Sequence, residues 1–126
     1  MWRLISDGLK TSGRKIETTR LESWALPGVP DVLLFSESGV FSFMELKVTK
    51  GRANKVSLSP HQCSWLSRHS GGPVFIVVRD SSLDISVYAG ADAVSLRMDG
   101  VAAVEALSVF KEPYDWKEFF KLTAPI

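Results

Sequence analysis

The sequence predicts one α/β domain, in which a mixed β-sheet is flanked by helices. Its 126 residues fit a single domain, and a hydrophobic content of 45% allows a real core. Apolar and β-branched runs typical of strands occupy residues 31–35, 40–48 and 73–78. A helix start at Ser59-Pro60 separates the second run from the third, and this alternation of strands with helices is typical of α/β folds.

The N-terminal part is predicted to contain a short helix, a strand and a turn. Apolar residues recur between Trp2 and Leu9, and residues 11–13 (Thr-Ser-Gly) end this helix. Residues 16–24 are rich in threonine and apolar side chains, which favours a strand. Residues 26–30 (LPGVP) form a turn, because two prolines around a glycine block both a helix and a central strand.

A hairpin is predicted to join strands 31–35 and 40–48. Residues 37–39 suit a three-residue loop with Gly39 in the left-handed conformation. Ser36 then pairs with Val40, and counting back along both strands puts Asp31 opposite Glu45, with Cβ atoms about 5 Å apart. A two-residue loop would move Asp31 off this alignment.

The second half continues the alternation. Residues 49–58 are polar and basic, which predicts a loop. Ser59 as N-cap and Pro60 at the first helical position begin a helix that stops before Gly71. Residues 73–78 and 83–88 are predicted strands, and residues 101–110 and 114–122 are predicted helices separated by Pro113.

The strand 40–48 carries two charged residues on one face. Side chains alternate along a strand, so Glu45 and Lys47 project on the same side, about 6.6 Å apart. Phe41 and Phe43 precede them on that side. A carboxylate and an ammonium on such a face are costly unless they have partners or a function. The opposite side carries Ser42, Met44, Leu46 and Val48.

Asp31 and Glu45 together indicate a metal site. Two carboxylates that close repel each other, and a hard divalent cation between them relieves the repulsion. Mg²⁺ prefers one or two carboxylates and keeps several waters, and we expect Mn²⁺ to substitute for it. Such a cation activates a water and stabilises charge on a phosphoryl group, where Lys47 would stabilise the phosphate or orient the nucleophile.

These residues resemble a known family. Pro30-Asp31 followed by Glu45-Leu46-Lys47 matches the PD-(D/E)XK nuclease signature. The fuller context, with PGVPDV at 27–32, MELKV at 44–48 and LSPHQCSWL at 58–66, resembles the virus-type replication-repair (VRR-NUC) branch. It is also similar to small phage and archaeal Holliday junction resolvases. The resemblance covers roughly residues 20–78, about half of the chain.

The resemblance implies a restriction-endonuclease-like core and a Mg²⁺-dependent endodeoxyribonuclease. Such families supply a further acid from an N-terminal helix, but the first predicted helix here contains only Asp7. We favour Glu22 as the third acid and metal ligand, because Arg20-Leu21-Glu22 resembles an Arg-hydrophobic-Glu element of phage members. Glu17 is the second choice and Asp7 the third, and a structural role for Glu22 stays open.

The predicted helix after Ser59 contributes further candidates. The resemblance implies that Gln62 reaches the edge of the active site, near the nucleophile or phosphate. Gln62 shares a helix face with Trp65, Leu66 and His69. We expect Trp65 and Leu66 in the core, Cys63 core-facing and inert, and His61 and His69 solvated, although either can serve as a general base. 

Basic residues are distributed unevenly. Residues 1–70 carry ten Lys/Arg against six Asp/Glu, whereas residues 71–126 carry five against eight. A one-sided basic region suits contact with phosphates, although a solvated loop with a chance imbalance would look the same. The candidate DNA contacts are Lys50, Arg52, Lys55 and Arg20.

Other features exclude some classes. No apolar stretch approaches the roughly 18–20 residues that span a bilayer, and the N-terminus has no secretory apolar region. The single cysteine, Cys63, allows no internal disulfide, and no Cys/His cluster has zinc spacing. We therefore expect a cytoplasmic protein without a membrane partner, in a bacterium or as a phage protein in its host.

Three functions are compatible with these residues. The first is a structure-specific endonuclease acting on branched or four-way junction DNA, because a small chain has little with which to read sequence. The second is a mismatch, nicking or restriction-type endonuclease, and the third a catalytically silent DNA-binding module. A resolvase would be a homodimer, for which Trp116, Phe119 and Phe120 offer an aromatic interface; alternatively, their helix closes the sheet.

Overall fold

The computed structural model describes residues 1–21, 26–49 and 55–126. Helices and strands follow one another in these ranges as α1 Trp2–Ser12, β1 Glu17–Arg20, β2 Val32–Phe35, β3 Phe41–Val48, α2 Pro60–Arg68, β4 Val74–Arg79, β5 Ile85–Ala89, α3 Ala93–Asp99, β6 Ser108–Phe110 and α4 Trp116–Thr123. Short 3₁₀ turns, Gly90–Asp92 and Val101–Ala103, flank α3. None of the helices in these ranges combines the length and the apolar character that crossing a membrane requires.

The six strands form one mixed sheet in the order β1-β2-β3-β4-β5-β6. Only the central pair, β3 and β4, is parallel, and the other neighbours are antiparallel. A parallel pair cannot be joined by a tight turn, so the chain crosses over through α2. The predicted α/β architecture, a mixed sheet flanked by helices, is confirmed.

Helices cover the two faces of the sheet unequally. On one face, α1 and α4 bury a cluster that contains Ile5, Val32, Leu34, Met44, Phe119 and Phe120. On the other face, α2 and α3 pack over β4 and β5 through a second cluster that contains Leu66, Ile76, Val78, Tyr88 and Leu96. Apolar burial on both faces stabilises the central strands. We refer to the second face, which also carries Glu45, as the Glu45 face.

The β2–β3 hairpin has the predicted register. The Ser36 amide donates to the Val40 carbonyl at 2.9 Å, and Gly39 lies in the left-handed region at φ 83°. Val32 is opposite Met44, so the same register continued by one residue places Asp31 opposite Glu45. The three-residue loop therefore sets which carboxylates face each other.

The prediction of a helix over residues 101–110 is wrong. Only Val101–Ala103 forms a helical turn, and Val104 is already extended at φ −124° and ψ 130°. Ser108–Phe110 then pairs with β5, whose outer backbone groups would otherwise lack a partner on that edge. Val101, Val104 and Leu107 are apolar residues three positions apart, a spacing that is also typical of a helix. No element was predicted for residues 89–100, where α3 lies.

The C-terminal helix is confirmed, but the proposed aromatic interface is wrong. Phe119 and Phe120 are completely buried against the first cluster, and the Trp116 ring meets Phe119 edge-to-face at 5.3 Å between centroids. Arg14 fixes the end of α4, donating to the carbonyls of Phe120 and Ala124 at 3.3 and 2.9 Å. The aromatic residues of α4 therefore close the sheet.

Candidate functional site

Glu45 lies at the centre of the site and is 1% exposed. It occupies the parallel part of β3, opposite Ile76 of β4, on the face that α2 covers. The strand alternation predicted from the sequence is confirmed here, since Met44 packs into the opposite cluster. A carboxyl group buried this deeply requires polar partners, because an unpaired charge in the interior is costly.

Gln62 supplies the first partner and connects three groups. Its Nε2 donates to Glu45 Oε1 at 3.2 Å, and its Oε1 accepts from Lys47 Nζ at 3.1 Å. The same Oε1 accepts from the Ser59 amide at 2.9 Å, while Ser59 Oγ accepts from the Gln62 amide at 3.1 Å. This reciprocal capping box fixes the first turn of α2, so the helix start and the site share one side chain.

Asp31 is held by the backbone of its neighbours. Its Oδ2 accepts from the Leu46 amide at 2.8 Å, and its carbonyl accepts from the Leu21 amide at 2.8 Å. Leu46 is the residue between Glu45 and Lys47, so its hydrogen bond orients the Asp31 carboxylate towards this part of β3. The hairpin register and this hydrogen bond together bring the two carboxylates to one place.

The environment of Glu45 shifts its titration. Burial, reinforced by the negative charge of Asp31, raises the pKa of Glu45 to about 8, although Lys47 opposes the rise. Glu45 is therefore mostly protonated at pH 7 in the metal-free protein. The 3.8 Å contact between Lys47 Nζ and Glu45 Oε1 then joins an ammonium to a neutral carboxyl group and is not a full ion pair.

The donor set fits a hard divalent cation. Glu45 Oε2 is buried beside Asp31, and no donor in the described ranges reaches it; when both carboxyl groups are ionised, this position is costly unless a cation occupies it. Asp31 and Glu45 would hold the cation, and oxygen donors of this kind suit Mg²⁺ or Mn²⁺. Among the described residues, no group of three or more His, Cys, Asp or Glu side chains surrounds such a position. The favoured third acid, Glu22, is not among these described residues.

Among the candidate third acids, the two that are described lie away from the site. Glu17 is opposite Phe35, four pairs from the Leu21–Asp31 hydrogen bond, which is about 13 Å along the strand. Asp7 is exposed on α1, over the opposite face, with its Oδ1 3.9 Å from Lys10. Glu22 lies outside the described residues, but it directly follows Leu21 in the chain.

The structure describes half of the predicted DNA contacts. Lys50 and Arg52 lie outside the described residues. Lys55 is exposed and directly precedes Val56, which is buried in the cluster under α2. Arg20 is exposed but is opposite Val32, and its guanidinium lies 5.4 Å from the Trp2 ring centroid. The side chain of Arg20 therefore points to the face opposite Glu45.

The remaining residues of α2 divide between core and surface as predicted, except that Trp65, expected in the core, is only half-buried. Leu66 is fully buried, and Cys63 is buried with its Sγ 3.7 Å from the Ala93 carbonyl oxygen. Burial raises the pKa of the Cys63 thiol, which makes it a poor nucleophile. His61 and His69 are exposed, and His69 stacks on Trp65 with centroids 3.8 Å apart. No described hydrogen bond links either histidine to Asp31 or Glu45.

Gly28 is a positioning residue that the sequence interpretation treated only as part of a turn. It has φ 89°, and a Cβ built there would lie 2.3 Å from the His61 carbonyl oxygen. The turn before Asp31 therefore packs directly on the first turn of α2, next to Gln62. A glycine between two prolines just before a candidate metal ligand was the available signal, but the contact with α2 depends on tertiary structure.

We expect Glu45→Gln to stabilise the metal-free protein increasingly as pH rises. Below pH 4.5, Glu45 is protonated in both the unfolded and folded chain; between pH 4.5 and about 8 only the unfolded carboxyl ionises, so folding loses stability. The loss approaches about 5 kcal/mol above pH 8, because the pKa rises by about 3.5 units from 4.5 to about 8 and each unit corresponds to about 1.4 kcal/mol. Urea unfolding in EDTA at pH 5, 6, 7 and 8 measures the difference between the midpoints of variant and wild type.

Glu37→Gln is the matched control. A hydrogen bond from Arg14 lowers the pKa of Glu37 to about 2, so its contribution is present above pH 4.5 and is lost only as pH falls towards 2. Its midpoint should therefore differ from that of wild type by a constant amount between pH 5 and 8. Parallel curves for wild type and Glu45→Gln over the same range would contradict the assigned burial of an ionisable Glu45.

Comparison with known proteins does not assign the chain to a family. Neither a scan against protein-family models nor a search of curated proteins finds a match. The resemblance to PD-(D/E)XK nucleases therefore rests on the motif residues and on the site geometry alone.

Proposed function

We propose that the protein is a Mg²⁺-dependent endonuclease of the PD-(D/E)XK type that hydrolyses phosphodiester bonds in DNA. The observation that carries this proposal is the buried Glu45 carboxyl beside Asp31, Lys47 and Gln62, with one oxygen that no donor of the described residues reaches. A sheet in which the site-bearing hairpin adjoins a parallel pair supports a restriction-endonuclease-like core.

Each side chain has a role that follows from its contacts. Asp31 and Glu45 would hold the cation, which when bound supplies charge to the phosphoryl oxygen and acidity to a water. Lys47, with its Nζ fixed by Gln62 Oε1, places a positive charge where a phosphate oxygen gains negative charge in the transition state. Gln62 orients Glu45 and Lys47 together, so it preorganises both groups before substrate binds.

The proposed substrate is branched DNA, with a four-way junction as the first candidate. A junction requires two cuts in opposed strands, and one site makes one cut at a time, so we propose that a homodimer acts on it. Phe119 and Phe120 face the core of their own chain, so the proposed interface lies elsewhere. The proposed location is the cytoplasm, where junctions arise during recombination.

We expect cleavage to require Mg²⁺ or Mn²⁺ and to be absent with Ca²⁺ or excess EDTA. Two oxygen donors from carboxylates bind hard cations, but Ca²⁺ supports catalysis poorly because of its larger size and looser geometry. The assay incubates the full chain with a four-way junction, a flap, a single strand and a linear duplex, and resolves the products on denaturing gels. Strong cleavage in EDTA would reject the metal assignment, and single unpaired nicks by a sedimenting monomer would reject junction resolution alone.

The metal ligands and Lys47 should give different defects. Asp31→Asn and Glu45→Gln should weaken Mg²⁺ or Mn²⁺ binding and abolish cleavage while DNA binding survives. Lys47→Ala should bind metal nearly normally but lower turnover by about a hundredfold or more, because it loses charge stabilisation of the transition state. Calorimetry with Mn²⁺ and single-turnover cleavage measure the two effects.

Lys10→Ala is the control for the charge change at Lys47. Lys10 is 79% exposed on α1, over the other face of the sheet, so this variant should cleave at the wild-type rate. Normal turnover by Lys47→Ala would show that the motif has been misassigned.

The third acid is tested with a matched pair. Glu22→Gln should impair cleavage far more than Glu17→Gln, because Glu17 lies about 13 Å along β1 from the pair that contains Asp31. Cleavage rates and the stoichiometry of Mn²⁺ binding measure the effect. A larger loss with Glu17→Gln would contradict the register described here, and wild-type rates for both variants would leave a site with two protein carboxylates.

A further inference from the structure

A row of aromatic side chains leads along β3 towards the site. Phe41 is 55% exposed, and Phe43 is half-buried and follows it on the Glu45 face. Phe35, opposite Phe41 on β2, packs against it with ring centroids 4.5 Å apart. We call Phe35, Phe41 and Phe43 the aromatic strip.

The strip continues onto α2. The Trp65 ring meets Phe43 edge-on at 5.2 Å between centroids, and the exposed His69 ring lies parallel to Trp65 at 3.8 Å. The helices α2 and α3 pack over β4 and β5, so this part of the Glu45 face, over β2 and the start of β3, is left partly open. Flat rings thus reach solvent on the same face as the catalytic residues.

The strip lies within reach of a nucleic-acid strand that runs along β3. Phe43 and Phe41 lie about 7 and 13 Å before Glu45, at about 3.3 Å per residue. Unpaired nucleotides are not held at the duplex spacing, so these distances place both rings within a few nucleotides of a phosphate at Glu45 and Lys47. Bases in a duplex are stacked on each other and cannot present their faces to such rings. Unpaired bases can.

The surroundings of the strip favour bases over a second protein copy. The apolar area, which includes the half-buried Leu33 opposite Phe43, ends at β1, where its neighbours on this face are Glu17 and Thr19, both exposed and polar. A stable protein interface needs a broad apolar centre. The strip is also collinear with Glu45 and Lys47, so a protein bound there would obstruct the approach of substrate.

We propose that the aromatic strip stacks unpaired bases of the DNA strand whose phosphate lies at Glu45 and Lys47. This rests on the proposed nuclease function and narrows it: the substrate class is DNA with unpaired nucleotides within a few positions of the cleaved bond. Aromatic stacking tolerates any base, so the strip selects structure and not sequence.

The test measures DNA binding by full-length Asp31→Asn protein, which is expected not to cleave. Fluorescence anisotropy compares a blunt duplex, the same duplex with a four-nucleotide unpaired tail, and the same tail with abasic residues. The abasic tail keeps the phosphates and removes the bases. We expect at least fivefold tighter binding to the natural tail than to either other DNA, as stacking of one base provides.

Substitutions at Phe41 identify the strip as the cause. Phe41→Ala and Phe41→Leu should remove the preference for the natural tail, whereas Phe41→Trp should keep it. Val94→Ala is the control, because Val94 is 54% exposed on α3 and away from the strip. Circular dichroism and urea midpoints check folding, and Phe41→Leu gives the same answer if Phe41→Ala does not fold.

Three results would overturn the inference: equal binding to natural and abasic tails, an unchanged preference in Phe41→Leu, or loss of a dimer in Phe41→Ala with DNA preference intact. The last result would identify the strip as a protein interface. Cleavage by wild type is measured separately. If wild type binds tails through Phe41 but cuts no DNA, the nuclease function is rejected and base stacking on the strip is retained. If wild type cuts DNA but its binding to tails does not depend on Phe41, the stacking proposal is rejected and the nuclease function is retained.

Discussion

The burial of one carboxyl group, that of Glu45, is the constraint on which the rest of the site depends. A carboxylate this deep in the sheet is unfavourable without partners, and burial keeps it protonated near neutral pH. Gln62 donates to one oxygen, and in the described part of the chain no donor reaches the other. In the metal-free protein, the buried carboxyl group of Glu45 therefore lowers the free energy of unfolding, and a bound cation would offset this loss. Such losses of stability are typical of functional sites.

The capping box of α2 and the turn at Gly28 are both coupled to the contacts around Glu45. The capping box at the start of α2 uses Gln62 both to satisfy the Ser59 amide and to reach Glu45 and Lys47, so helix initiation and site assembly are coupled. Gly28 allows the turn before Asp31 to approach the same helix turn without a steric clash. Loosening the first turn of α2 would therefore displace the contacts of several site residues at once.

The two faces of the sheet are covered to different extents. One face is closed by α1 and α4, with Phe119 and Phe120 completely buried, and Arg14 fastens the end of α4 to the β2–β3 loop through Glu37. On the other face, α2 and α3 cover β4, β5 and the Glu45 part of β3, whereas Phe41 at the start of β3 is 55% exposed. A rigid closed face allows the open face to present polar and aromatic groups to a partner.

The sequence by itself determined the features that local chemistry controls. The three-residue loop at 37–39 determined the hairpin register and hence the Asp31–Glu45 pairing, strand alternation separated Glu45 from Met44, and Ser59-Pro60 determined where α2 begins. Tertiary structure decided the rest. Residues 101–110 form a turn and an edge strand, because Ser108–Phe110 hydrogen-bonds to the backbone of β5. The aromatic residues of α4 face inward because they bury apolar surface against the sheet. Gly28 and the aromatic strip acquired their roles only where separate segments met, since no local pattern specifies which distant surface a residue will contact.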